Sequence, residues 1–276
     1  MSLHIRRLPQ AFALLVLALF SLAPLYSALV VASRDNADLA RATPPLVPGG
    51  RLLDHLGELV ERVDLGQAMV NSAVIAGVVA VANALLCSVA GFAFARLRFR
   101  AREALFAVVL ASAMVPTQLG IVPVFMVVDA LGWYDTLAAA IAPGLVSAFG
   151  VFWMRQACLE AVSTELVDAA RVDGCSLARV YWHVALPALR GPAAVLGMLS
   201  FATSWNEFGW PLVALDPNDT PTAQVVLSRL AGGYYTDYPL VLTGVLVSIV
   251  PVLLLFVLFA RKVVAVLLRG AAETGR

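Results

Sequence analysis

Apolar residues gather into six long runs, at roughly 11–31, 71–95, 104–127, 136–157, 191–214 and 239–260. Each approaches the ~20 residues that carry a helix across a bilayer. The pattern therefore predicts an all-α, polytopic bundle of six transmembrane helices, one membrane domain over 1–276. Gly, Pro and Ser interrupt the runs, as in membrane helices that pack on one another. The first run follows Arg6 and Arg7 like a signal peptide, but at ~21 residues it exceeds the usual 7–15-residue apolar core. It reads as a retained helix.

Two inter-run segments are patterned. In residues 32–70, a Pro/Gly-rich coil (Thr43 to Gly50) precedes Leu52, Leu53, Leu56, Leu59, Val60 and Val63 at helical spacing, with acids between them. That predicts a short amphipathic helix on the outer surface, either capping the bundle or meeting an outside partner. In about 159–189, Ser163 or Thr164 caps a helix start, and Glu165 and Asp168 suit its positive end. Gly174 is placed to end that helix, and Ser176 to cap a second. Pro187 is expected to break the chain before the fifth span. Leu166, Ala169 and Ala170 share a face by their spacing, so the segment reads as a helix–Gly–helix knob with small residues turned toward another surface.

Composition narrows the class. The chain is 61% hydrophobic and 13% charged, against roughly half and about a quarter for a soluble domain. Basic and acidic residues nearly balance, 19 to 18, which gives no basic excess for nucleic acid. Cys87, Cys158 and Cys175 have no disulfide or zinc spacing, and His4, His55 and His183 are scattered. His183 is expected to anchor its loop near the membrane surface.

Charge sets the expected orientation. With the N-terminus inside, the inner segments hold fourteen basic and six acidic residues, and the outer segments five basic and eleven acidic. The positive-inside rule then places both termini, and the 159–189 loop, in the cytoplasm.

The loop also carries a spaced motif. Asp168-Ala169-Ala170, three residues, Gly174, nine residues and Val184-Ala185-Leu186-Pro187 resemble the EAA loop of binding-protein-dependent ABC importer permeases. That pattern runs Glu-Ala-Ala, Gly, Ile-x-Leu-Pro at the same spacing. Asn71-Ser72, Ala93-Phe94-Ala95-Arg96, Val115-Pro116-Thr117-Gln118 with Ile121-Val122-Pro123, and Ser204 through Leu212 narrow the likeness to carbohydrate-type permeases over about residues 68–270. One departure is Ser163 near the place where the family commonly has Pro.

The resemblance implies a bacterial inner-membrane, multi-pass permease subunit for sugars, forming half of a translocation pathway. It implies a second homologous permease, two ATPase subunits and an extracytoplasmic solute-binding protein as partners. Asp168, Arg171 and Asp173, with Glu165 nearby, would meet the rim of a groove on the ATPase, Ala169 and Ala170 its centre, and Gly174 the turn; Leu186 and Pro187 close the motif. Importers of glycerol phosphate, glycerophosphodiesters or polyol-like solutes are the alternative within transport.

The ATP chemistry is expected from another chain. A P-loop needs G-x-x-x-x-G-K-[ST], but the single lysine, Lys262, is followed by Val263. No cofactor is expected here; ATP and Mg2+ would be bound by the partner. A membrane-embedded transferase is the reading from another class. Asp168, Asp173, Gly174, Ala178 and Arg179 approximate a phosphotransferase pattern, but their spacing fails and the carboxylates that two-metal chemistry needs are missing.

Polar residues within the runs are functional candidates. Glu207 lies in the fifth run with Asn206, Trp205 and Trp210 beside it. Carboxylate and amide suit sugar hydroxyls, and an indole suits a sugar face. The alternatives are an interhelical tie, an outer-gate contact and, for the tryptophans, an aromatic belt. Gln118 lies where Pro116 is expected to kink the third helix, lining the pathway or satisfying freed backbone. Asn83 is expected to make an interhelical hydrogen bond.

Overall fold

The computed structural model describes residues 7–39, 43, 45–232 and 236–273, with side chains described at 12–39, 43, 45–232 and 236–260. His4, Arg6, Arg41, Pro44 and Arg276 lie outside the described residues, as do the side chains of Arg7, Arg261, Lys262, Arg269 and Glu273.

Every described element is a helix. Those of five residues or more are, in chain order, α1 (Arg7–Ala32), α2 (Leu52–Arg62), α3 (Leu65–Arg96), α4 (Arg102–Ser112), α5 (Ile121–Ala130), α6 (Leu137–Ile141), α7 (Ala148–Ala161) and α8 (Thr164–Val172). Then come α9 (Leu177–Trp205), α10 (Gly209–Ala214), α11 (Ala223–Ala231) and α12 (Tyr238–Glu273). Among the described residues, α1, α3, α9 and α12 are each long and apolar enough to span a membrane. Two bent pairs, 102–112 with 117–130 and 137–144 with 148–161, bring the total to six when each pair counts as one span.

The third span bends by 94° at its break. Pro116 lacks the N–H that would continue the helix, and the chain restarts through a 3-10 turn, Thr117–Gly120. The sequence pattern did not resolve the 45° bend in the fourth span. There Ser147 caps α7 by accepting a hydrogen bond from the Gly150 amide at 3.0 Å.

The fifth span differs from its expected bounds. Its helix begins at Leu177, not near 191, and ends at Trp205, not near 214. Pro187 does not break it. The hydrogen bonding widens into a π-turn over Tyr181–Ala185, and Pro187 then occupies the first turn of the α-helical stretch Leu186–Trp205, where no N–H is required. So Leu186 and Pro187 belong to a helix rather than to a loop.

The described residues form two compact units, one from residues within 7–66 and 226–250, the other from those within 67–225 and 251–273. In the first, the Ala32 carbonyl ending α1 accepts from His55 Nδ1 at 2.8 Å and Thr243 Oγ1 at 3.4 Å. The amphipathic helix forms as expected, with His55 and Leu59 buried and Leu53 and Val60 exposed. Large apolar side chains of α1 from Phe12 to Phe20 are exposed, a surface suited to lipid rather than water.

The second unit has a continuous core. Phe92, Phe106, Met154, Cys158, Val162, Val167, Tyr181, Leu189 and Leu196 meet in it, and they come from α3, α4, α7, α8, α9 and the turn before α8. Gly91 lets α3 cross closely over α7: a Cβ there would stand 2.6 Å from the Met154 carbonyl carbon. Asn83, only 2% exposed, makes the expected interhelical bonds. Its Nδ2 donates to the Gly144 carbonyl at 3.1 Å and its Oδ1 accepts from Ser200 Oγ at 3.2 Å.

Candidate functional site: the 159–189 coupling element

Residues 163–176 fold into a capped helix and a glycine turn. Ser163 Oγ accepts from the Leu166 amide at 3.2 Å, and Ser176 Oγ from the Arg179 amide at 3.3 Å. Both serines thus cap helices, as the sequence predicts, and Ser163 replaces the expected Pro without loss of the helix start. Its hydroxyl and the backbone amide of Glu165 hydrogen-bond the Glu165 carboxylate; the amide is the larger influence, and together they hold its pKa below the ordinary value. That contribution is present above the usual carboxylate range and is lost as pH falls through the lowered pKa.

Gly174 ends α8 with φ +81°. The Cys175 amide donates to the Ala170 carbonyl and the Gly174 amide to the Arg171 carbonyl, each at 3.0 Å. This is a Schellman turn, which satisfies carbonyls at the helix end and needs a residue at ease with positive φ.

The two faces of α8 are now distinct. Val167 is 3% exposed and Ala170 packs with it against the core. Glu165, Leu166, Asp168, Ala169, Arg171, Val172 and Asp173 are exposed, with Val172 at 87%. Ala170 therefore serves the inward face, and the outward apolar centre is Ala169 with Leu166 and Val172. Periodicity alone could not assign the inward face, because Ala170 and Ala169 are chemically identical. His183 Nδ1 lies 3.0 Å from the Arg179 carbonyl, a contact within its own helix.

The second candidate set is a break, not a span. Asn206 and Glu207 fall in the turn between α9 and α10, and both are exposed. Glu207 Oε1 accepts from the Trp210 amide at 3.2 Å, capping α10, and Asn206 Nδ2 donates to the Ala202 carbonyl at 2.7 Å. Trp205 is 1% exposed and its ring stacks on Phe201, so it offers no free face. Trp210 Nε1 donates to the Ala139 carbonyl at 2.9 Å, an interhelical tie. Gln118 stands exposed in the other break, with Thr117 as its side-chain partner at 3.5 Å. The structure thus brings Asn206 and Glu207 together and leaves Gln118 on a separate segment.

Sequence reasoning counted Arg96 only as positive charge and as part of a motif. In the structure it reaches Thr164 Oγ1 at 2.9 Å and the Leu159 carbonyl at 2.8 Å. Its place in the last turn of a long apolar helix was the available signal.

The chain is an all-helical protein with apolar, span-length helices and a helix–Gly–helix element, and comparison with known proteins gives its class. Residues 87–266, more than half of the chain, match the family of binding-protein-dependent transport system inner membrane components. The chain is 33% identical over 262 residues to the lactose transport system permease protein LacG of Rhizobium radiobacter, covering 94% of this chain and 95% of that protein. It is 32% identical to the arabinooligosaccharides transport system permease protein AraQ of Halalkalibacterium halodurans, at 93% of each chain. It is 30% identical to the sn-glycerol-3-phosphate transport system permease protein UgpE of Rhizobium meliloti, covering 91% and 90%. Its fold matches a chain in the crystal structure of a bacterial ABC transporter involved in the import of the acidic polysaccharide alginate, with a TM-score of 0.76, 20% identity, and 94% and 96% coverage. The chain belongs to the binding-protein-dependent transport system inner membrane component family. It is a multi-pass inner-membrane protein of a family of transport subunits that work with ATPases and binding proteins rather than as enzymes.

Proposed function

We propose that this chain is a permease subunit of an ATP-driven sugar importer, coupled to a separate ATPase through the 159–189 element. It pairs with a second homologous permease, two ATPase subunits that bind ATP and Mg2+, and an extracytoplasmic binding protein. Both termini and the coupling element face the cytoplasm, on the charge asymmetry described above. The observation that carries the reading is the outward face of α8, where Leu166, Ala169 and Val172 are exposed on a helix fixed by Ser163 and the Gly174 turn. Glu165, Asp168, Arg171 and Asp173 rim that apolar centre and meet the ATPase groove. Purification in mild detergent tests it: an ATPase subunit is expected to come with the chain, and its reproducible absence would contradict the reading.

Two breaks support a pathway. Irregular backbone at membrane depth is tolerated where it is buried in protein or lines a cavity, and transporters commonly build solute sites at broken helices. The breaks carrying Gln118 and Asn206-Glu207 are the irregular segments that would suit such a site, whereas buried Trp205 contributes packing. The relatives named for lactose and arabinooligosaccharides favour a neutral polyhydroxyl solute. So does the acid at the break, since a phosphate would be repelled by Glu207. The glycerol-3-phosphate relative keeps a polyol phosphate as the second reading.

Glu207→Gln tests the site. A hydrogen bond to a charged group contributes about 1.5–3 kcal/mol, so uptake at limiting solute is expected to fall about tenfold or more, with substrate-stimulated ATP hydrolysis reduced alongside. Unchanged uptake removes Glu207 from the pathway.

A further inference from the structure

Three side chains of α3 stand at four-residue intervals, Ser88, Phe92 and Arg96, and so share one stripe of the helix. Each meets the coupling element or its junctions. At the end of α3, one Arg96 nitrogen donates to Thr164 Oγ1 at 2.9 Å. The other donates to the carbonyls of Leu159 at 2.8 Å and Cys158 at 3.4 Å, where a cation also suits the negative end of the α7 dipole. One turn back, the Phe92 ring lies on Tyr181 with centroids 5.8 Å apart. One turn further, the Ser88 and Tyr181 hydroxyls are 2.5 Å apart, and both residues are buried.

α3 therefore holds the coupling element at both ends. Arg96 grips the start of α8 and the helix feeding it. Ser88 and Phe92 grip Tyr181, the first residue of the π-turn near the start of the fifth span. Moving α8 without α3 would break the Thr164 bond of this guanidinium, and moving the end of α7 that feeds α8 would break the other two, on a group whose Nε is already buried without a partner. Unsatisfied buried charged groups are costly, so moving the two helices together is favoured. Farther along, Asn83 ties the same helix to Gly144 and to Ser147 at 3.3 Å, at the bend of the fourth span.

We infer that the Ser88–Phe92–Arg96 stripe is the transmission face of this subunit, with Arg96 the positioning residue that carries displacement of α8 into α3. The inference rests on the coupling role proposed for α8. It concerns how displacement leaves α8, not whether an ATPase docks there.

The test uses the full complex, with partner permease, ATPase and binding protein, in proteoliposomes. The readout is solute transported per ATP hydrolysed. Arg96→Gln is expected to lower that ratio about tenfold, the loss expected from removing charge-assisted hydrogen bonds, while the ATPase subunit stays bound. Arg96→Lys is expected to recover part of it, because lysine keeps the charge but not the planar fork. Ser88→Ala and Tyr181→Phe each lower the ratio in part, and the double variant does no worse than either single one. A wild-type ratio in Arg96→Gln, or equal falls of transport and hydrolysis, overturns the inference. Should Arg96→Gln not accumulate, the two hydroxyl deletions decide it, and an unchanged ratio in both overturns it. An ATPase missing from the wild-type complex contradicts the coupling role itself and not the grip.

Discussion

Replacing Gly174 with valine is expected to abolish most transport while leaving the chain inserted and abundant. The reason lies in the backbone, not in crowding. Gly174 has φ +81°, and a Cβ built there meets nothing within 4 Å. The penalty is the left-handed conformation itself, about 1–2 kcal/mol for a residue with a side chain, and greater for a β-branched one. The Schellman turn then opens or twists, and the bonds from Cys175 to Ala170 and from Gly174 to Arg171 no longer fix the end of α8. A strain of this size shifts the docking geometry about 5–30-fold. Asparagine tolerates the same conformation, so Gly174→Asn is expected to keep most of the activity. Initial uptake rates, normalised to membrane-inserted protein, check both variants. Wild-type uptake by Gly174→Val would remove the turn from the coupling account.

Gly91→Val is expected to fail in the opposite way, through loss of the protein. A Cβ at this position would lie 2.6 Å from the Met154 carbonyl carbon and 2.7 Å from the Arg155 amide nitrogen. Those are backbone atoms of α7, which cannot rotate aside as a side chain can. The helices must separate, and overpacking of this kind costs about 1–3 kcal/mol or more. Close approach through small residues is what holds membrane helices together in the absence of a hydrophobic drive between them. Abundance in the membrane and resistance to thermal aggregation in detergent should both drop. Gly77 lies on the same helix with nothing within 4 Å of its Cβ position, so Gly77→Ala is expected to be neutral. Equal abundance of Gly91→Val and Gly77→Ala would contradict the packing described.

The contrast shows what was legible in the sequence. The spaced Asp168-Ala169-Ala170, Gly174 and Leu186-Pro187 motif located the helix–Gly–helix element, and Ser163, Gly174 and Ser176 perform the capping and turning that their chemistry predicts. Apolar run length, which needs no tertiary knowledge, gave six runs, of which four appear as single long helices and two as bent pairs. What escaped was decided by long-range packing. The fifth span's limits moved because a π-turn at Tyr181–Ala185 accommodates Pro187. The span also stops at Trp205, buried against Phe201, although apolar residues continue to Leu215. The inward role of Ala170 depends on which side of α8 meets the core. Arg96 looked like a topology charge until its partners, 62 to 68 residues away in sequence, came into place. Glu207 read as a buried membrane carboxylate, and the helix break leaves it exposed.

On the function proposed above, α8 meets an ATPase on the cytoplasmic side. Site-specific cross-linking in the assembled, transporting complex tests it most directly. A cysteine introduced at Ala169, with Cys175 replaced by serine and Cys87 and Cys158 left buried, is compared with one at Leu53, exposed on α2. A cross-linked product is expected between position 169 and the ATPase subunit, and none between position 53 and that subunit. A complex that transports normally but joins the ATPase through position 53, or never through position 169, would contradict it.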